Sequence, residues 1–426
     1  MPLASSTVLQ APPLWLIVPF ILMLLAIALM PFLAAHWWEK NYPKVAVALA
    51  AAVCGYYAAV LHDAGRLLGV AHEYVSFIAL IGSLFVVAGG IHIRVRGEAT
   101  PLRNTIFLAI GGLLANVIGT TGAAMLMIRP WIRMNKYRIT AFHIVFFIFV
   151  VANVGGVITP IGDPPLFLGY LKGVPFFWSV ATLWPAWLVM MAGLLGIFYV
   201  MDRRNFGRAP EVVRELETGY EQFRVDGKRN FLFIGVILCA VFLPSPAREL
   251  LMVAAAAASF SSTPSAVHES NQFSFTPVKE VAWLFLGIFG TMVPALDYMQ
   301  VNAASLGLDG PVAFYALTGL LSSFLDNAPT YLTFLAAALG QQGLSLDKTA
   351  DVAAFATDHA MTLKAISIGA VFFGAATYIG NGPNFMVKSI AEHAKVRTPT
   401  FFGYILCYTL PILLPLLAVV AWLFFA

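Results

Sequence analysis

"TPIGDPPLF", residues Thr159 to Phe167, puts three prolines, a glycine and an aspartate into an otherwise apolar stretch. Pro160, Pro164 and Pro165 cannot donate backbone hydrogen bonds, and Gly162 tolerates non-helical angles. The helix announced by Phe146-Phe147-Ile148-Phe149 must therefore break here. At membrane depth, irregular backbone is tolerated only where protein or a water-filled cavity covers it. Such a break reads as a site. Freed carbonyls can ligate a cation, and a half-helix N-terminus can face an anion.

Composition supplies the membrane. Of 426 residues, 60% are hydrophobic and 11% charged, against about half and a quarter in soluble domains. The longest polar stretch, Met201 to Asn230, leaves no room for a soluble domain. Cys54, Cys239 and Cys407 all lie in apolar runs, which argues against a disulfide framework. The formal charge of +4 is ordinary for such a chain and signals no nucleic acid. The residues before Pro12 carry no Lys or Arg, so the first apolar run reads as a span rather than a cleaved leader.

The apolar runs predict ten spans, near 13–34, 44–62, 74–93, 139–171, 180–201, 230–245, 248–263, 279–297, 363–392 and 401–425. Short loops rich in Lys and Arg mark the cytoplasmic side. Arg94 to Arg103, Arg129 to Arg138 and the 203–229 loop are such clusters. The first two flank one apolar segment, 104–128, so a simple span would leave one cluster outside. A re-entrant hairpin turning at "NVIGTTG" (Asn116 to Gly122) keeps both inside; a single tilted span is the alternative. A matching segment, 312–339, turns at "SSFLDNAPT" (Ser322 to Thr330), and its flanks hold one Lys. It reads as a second hairpin, entering from outside. An even span count puts both termini on one face, the outer one.

The opening stretch has a partner. "GVITPIGDPPLF" (Gly156 to Phe167) over "GAATYIGNGPNF" (Gly374 to Phe385) gives six identities in twelve positions. "LLANVIGTTGA" from Leu113 lies over "LLSSFLDNAPT" from Leu320. Hairpin and broken helix recur in the same order. Residues 1–201 are thus expected as one half (hairpin 104–128, broken helix 139–171), 202–229 as a cytoplasmic linker, and 230–426 as the other half (hairpin 312–339, broken helix 363–392). Five spans per half invert the second. The fold class expected is an all-α polytopic membrane protein built as an inverted repeat, an arrangement typical of secondary transporters.

Asp163 and Asp326 are the two carboxylates expected at membrane depth, where ionisable residues mark ion paths or proton relays. Both are candidates for cation binding and proton exchange. Each is also a good helix cap, Asp163 because it precedes two prolines. Asn116, Thr120, Thr121, Asn153, Thr159, Gly162, Asn327, Thr377, Gly380, Asn381 and Asn384 cluster at the same four breaks. Their oxygens suit a hard cation such as Na⁺, for which Asp163, Asp326, Asn327 and Asn381 are the first candidates. Each of these polar groups can equally well satisfy exposed backbone. Lys172, Lys364 and Lys388 fall near span ends and read as snorkelling side chains. His143 reads as a satisfied interfacial histidine, and the 202–229 loop as solvated.

"ITPIGDPPLFLGYLKGVPFFW" (Ile158 to Trp178) and "SSFLDNAPTYLTF" (Ser322 to Phe334) resemble motifs of the ion transporter superfamily. The chain is most similar to NhaD-type sodium/proton antiporters, related to arsenite permeases and dicarboxylate carriers. The resemblance implies exchange of Na⁺ or Li⁺ for H⁺, a homodimer in a bacterial inner membrane and an elevator-type motion. It implies small inorganic ions as ligands, Na⁺ as cargo, no cofactor and no enzymatic activity. Dicarboxylate carriers present Ser-Asn-Thr at both hairpin tips, whereas this chain has Gly119-Thr120-Thr121 and Asp326-Asn327-Ala328. Anion or metalloid transport, as a carboxylate symporter or arsenite permease, is the alternative. An intramembrane aspartyl protease would require Gly-x-Gly-Asp, where this chain reads Pro160-Ile161-Gly162-Asp163.

Overall fold

The computed structural model describes residues 12–96, 99–212 and 222–426. Part of the basic stretch Arg94 to Arg103 and the middle of the 202–229 linker lie outside the described residues. Among those described, eight helical segments are long and apolar enough to cross a membrane, and the chain is an integral membrane protein. Ten spans were expected: seven are among these eight, the eighth is Pro101–Met134, expected as a hairpin, and the other three are short pieces. Pro244 and Pro246 separate Asn230–Ala240 from Ala247–Ser262, and Ala360–Gly374 stops at the second break. The second helix, Ala35–Ala59, starts before residue 44. Its polar first turns bond along the helix, Lys40 to His36 at 3.0 Å and Lys44 to Asn41 at 3.1 Å. Apolarity alone therefore sets its start too late.

Among the described residues, one feature departs from an all-helical chain. Strands β1 (His92–Arg96) and β2 (Gln222–Asp226) pair antiparallel, with His92 opposite Asp226. Both lie in stretches that charge alone marks as loops. A strand of five residues gives too little alternation to stand out from a basic cluster.

Pro101–Met134 is helical on both sides of Gly119, whose φ of 76° and ψ of 155° interrupt it. The two arms fold back on each other. Asn104 donates to Asn135 Oδ1 at 2.8 Å, although a straight helix would hold them about 46 Å apart. The Phe107 and Trp131 rings stack at 5.6 Å. The reversal needs a positive φ, which glycine adopts without penalty. A second hairpin joins Gly310–Ser322 to Asn327–Gln341. Its ends close through Gln341 Nε2, which donates to Leu308 O at 2.9 Å. Here the corner residue is Asp326, with φ −57° and ψ 134°, so no glycine is required.

Each hairpin packs beside an interrupted helix. The first runs as Ala141–Val150, a 3₁₀ turn Val154–Ile158, and Pro164–Lys172. The second runs as Ala360–Gly374 and, after a gap, Gly382–His393.

The base of the first hairpin is pinned by a buried charge. Asp202, near the end of Phe176–Arg208, is fully buried. It pairs with the Arg138 guanidinium, accepts from Asn104 Nδ2 at 2.8 Å, and meets His143 Nε2 at 3.1 Å. Arg138 also donates to Ala99 O. This corrects the reading of the 202–229 segment as solvated: its first residue is a buried anchor, and helix continues to Arg208. Asp202→Ala leaves Arg138 buried without its main partner and should cost about 3–5 kcal/mol. Arg224→Ala, at the exposed Arg224–Asp226 pair, should cost well under about 1 kcal/mol. Thermal denaturation in detergent compares the two, and equal small losses would contradict this account of the hairpin base.

Candidate functional site

The two hairpin tips and the two helix breaks meet at Asp163, a carboxylate that is 1% exposed. Thr120 Oγ1 donates to Asp163 Oδ1 at 2.8 Å, and Asn381 Nδ2 reaches the same oxygen at 3.3 Å. Asn327 Nδ2 donates to Oδ2 at 2.7 Å. Each of these residues stands where a helix begins. Thr120 follows the Gly119 break, Asn327 opens Asn327–Gln341, and Asn381 precedes Gly382–His393. Asp163 itself precedes Pro164–Lys172. Four helix N-termini thus surround one carboxylate. Their partial positive charges favour negative charge at that point, where the Asp163 carboxyl sits.

The carbonyl ends of the same breaks are occupied. Thr159 Oγ1 donates to Asn116 O at 2.6 Å, and Thr377 Oγ1 to Ser323 O at 2.5 Å. Asn116 and Ser323 fall opposite each other when the hairpin sequences are aligned, as do Thr159 and Thr377 in the breaks. Asn116 Nδ2 donates to Gly155 O at 2.6 Å, and its Oδ1 accepts from Ile158 N at 2.9 Å. Asn384 Nδ2 donates to Gly374 O at 2.8 Å and Thr377 O at 2.9 Å. With its amide so engaged, Asn384 presents Oδ1 to Asn153 Nδ2 at 2.7 Å. Asn153 Oδ1 in turn accepts from Asn381 Nδ2 at 3.1 Å. This asparagine relay fixes which end of Asn381 faces Asp163.

The candidates therefore divide. Thr120, Asn327 and Asn381 touch the central carboxylate. Asn116, Thr159, Thr377 and Asn384 serve backbone, and Asn153 joins the two groups. Asp326 accepts from Ala328 N at 3.0 Å, which makes it a helix cap beside the centre, and it does not bond Asp163. Asp163 accepts no cap bond from its own helix, so its oxygens are left for the three side chains. Asn327 Oδ1 is buried with no hydrogen-bond partner among the described residues. Thr121 lines a cavity of about 20 Å³ together with Gly119, Gly162, Asp163 and, from Ala64–Gly89, Leu80, Ile81 and Leu84. A space of that size holds a water or a bare ion. Among the described residues, no group of three or more His, Cys, Asp or Glu side chains is placed to hold a metal.

A family model described as "Putative citrate transport" matches residues 9–425. The chain belongs to that family. It is also 25% identical over 325 residues to a "46 kDa membrane protein" of Mycobacterium leprae (strain TN), covering 72% of this chain and 73% of the relative. A member of this citrate transport family is a transporter and not an enzyme, and the match is to a citrate-named family rather than to the NhaD-type group.

Sequence reasoning misplaced some charges in this family member. Lys172 does not snorkel: it is 6% exposed and pairs with Glu73 at 2.7 Å. Lys364 is buried and lies over the Phe424 ring at 4.2 Å, whereas Lys388 pairs with the exposed Glu392 at 2.8 Å, which leaves its snorkelling reading standing. Asp297 is a further buried carboxylate, bonded by Tyr57 OH at 2.9 Å and paired with Arg66. Its position at the end of an expected span was the available signal. His143 is satisfied by Thr140 and Asp202.

Close backbone approach explains the paired glycines. A Cβ at Gly380 would lie 2.6 Å from Ser322 O and 2.7 Å from Gly374 O, and one at Gly162 would collide with Gly156 O. Gly382, one residue past the second break, has open space around it. Gly162→Ala should therefore cost about 1–3 kcal/mol, while Gly382→Ala should be neutral or better. Melting temperatures of the purified variants decide this. An unchanged Gly162→Ala protein would mean that the break is not closely packed.

Proposed function

We propose that this protein is a secondary transporter that carries a small polycarboxylate of the citrate class together with a cation. The family supports the substrate class. The observation that carries the chemistry is the convergence of four helix N-termini on Asp163, with carbonyl ends turned to other partners. Such a centre favours anions. This is why the carboxylate reading takes precedence over Na⁺/H⁺ exchange, for which freed carbonyls were the expected ligands.

Asp163 would oppose a second anion brought alone. A proton or metal ion that arrives with the substrate neutralises that repulsion, so carriage of the anion is coupled to the cation. Thr120, Asn327 and Asn381 would then hold either Asp163 or a substrate carboxylate. Asp326 shapes the second tip as its cap. The two hairpins, each with its broken helix, would act as the inverted halves 1–201 and 230–426. Pairing of two copies in a bacterial inner membrane with both termini outside remains part of the same proposal.

Proteoliposomes loaded with a pH dye test this reading. Labelled citrate uptake should depend on a cation gradient of protons or Mg²⁺. Asp163→Asn should reduce it at least about tenfold, which corresponds to about 1.4 kcal/mol of lost coupling. Asp326→Asn should retain most activity, because Asn still caps. Na⁺-driven proton efflux without citrate uptake would overturn the proposal in favour of exchange.

A further inference from the structure

The Asp163 cavity is walled on one side by Leu80, Ile81 and Leu84 of Ala64–Gly89. Near its other end, that same helix is held by a cluster of two cations and three carboxylates. Arg66 pairs with both Asp297, on Thr276–Val301, and Asp347, in the loop after Asn327–Gln341. Lys172 pairs with Glu73 at 2.7 Å and lies 3.5 Å from Asp347. Tyr57 completes the set through Asp297.

The placement ties the cluster to the site. Lys172 ends the nine-residue helix Pro164–Lys172 that Asp163 precedes, so one short rigid rod joins the central carboxylate to the ion pairs. Asp347 follows the second hairpin by a few residues. At Gly173, with φ of 123°, a Cβ would lie 2.7 Å from Thr349 O, so the end of that rod packs on the segment after Asp347. Burial alone would raise the Asp347 carboxyl. Arg66 and Lys172 beside it instead hold it below the ordinary carboxylate range. The cavity, at about 20 Å³, is too small for a polycarboxylate. The helix wall must therefore separate from the hairpin tip before substrate enters.

We propose that the Arg66–Asp347 and Lys172–Glu73 pairs form an ionic latch that holds helix Ala64–Gly89 closed over the Asp163 cavity. Opening the cavity pulls the wall helix away from the rod and from the second hairpin, and that movement separates these pairs. Arg66–Asp297 joins the wall helix to Thr276–Val301, which moves with it, so that pair stays made. The inference rests on the carrier reading for its purpose. Its test reads accessibility without any substrate, so failure of citrate transport and failure of the latch remain distinguishable.

Asp347 has a side chain 32% exposed, which makes Asp347→Asn a mild change. In a background without Cys54, Cys239 and Cys407, Thr121→Cys reports the cavity. Ser259→Cys, fully buried in Ala247–Ser262, reports general loosening. Labelling by a membrane-impermeant maleimide is followed with and without Asp347→Asn. The Thr121→Cys rate should rise roughly fivefold or more, the lower end of ordinary coupling between sites, while the Ser259→Cys rate stays constant. Glu73→Gln should act in the same direction. An unchanged Thr121→Cys rate, or equal increases at both reporters, would overturn the latch.

Discussion

A carboxylate surrounded by helix starts is the constraint on which the rest of this molecule depends. Asp163 is buried, and in such surroundings a charge is costly unless donors and dipoles offset it. Thr120, Asn327 and Asn381 provide the donors, and four helix N-termini provide the field. To bring those starts together, two helices must break and two helical segments must reverse. Gly119 permits one reversal through its positive φ, and the prolines at 160, 164 and 165 prevent the first break from healing.

The breaks are stable because their carbonyls have partners. Thr159 and Thr377 make matching bonds to the carbonyls of Asn116 and Ser323, and Asn384 holds two carbonyls of the second break. Breaking a helix leaves both donors and acceptors unpaired. In this chain side chains satisfy most of the acceptors, Gly162 O takes the Thr120 N–H, and the side chains at three helix starts donate to the central acid. That asymmetry gives the centre its anion-seeking character. It also gives a physical reason for a citrate-family assignment in a chain whose polar residues, taken one by one, look like ligands for a cation.

Much of this was legible in the sequence. The proline-rich break, its weaker partner at residues 374–385 and the turns at Asn116–Gly122 and Ser322–Thr330 all mark places where the helices stop. What the sequence concealed was pairing. Asp163 and Asp326 look equivalent as letters. Only geometry makes the first a hub with three side-chain donors and the second a cap. Lys172 looks like a snorkelling end residue until Glu73, about a hundred positions away, is placed beside it. Asp202 looks like the start of a solvated loop until Arg138 and His143 close on it. The strands at residues 92–96 and 222–226 are too short to announce themselves. The misses at Asp163, Lys172 and Asp202 each concern a partner distant in sequence, which local patterning cannot reveal.

Infrared difference spectroscopy of the purified protein tests the central claim most directly. Citrate with Mg²⁺ is added to wild type and to Asp163→Asn, and the carboxyl region of the difference spectrum is compared. A substrate–cation pair binding at Asp163 alters that side chain's hydrogen bonding or protonation. A protein carboxyl signal is therefore expected in wild type and is expected to be lost in Asp163→Asn. An identical signal in both proteins would place the substrate elsewhere and contradict the role assigned to the four converging helix starts.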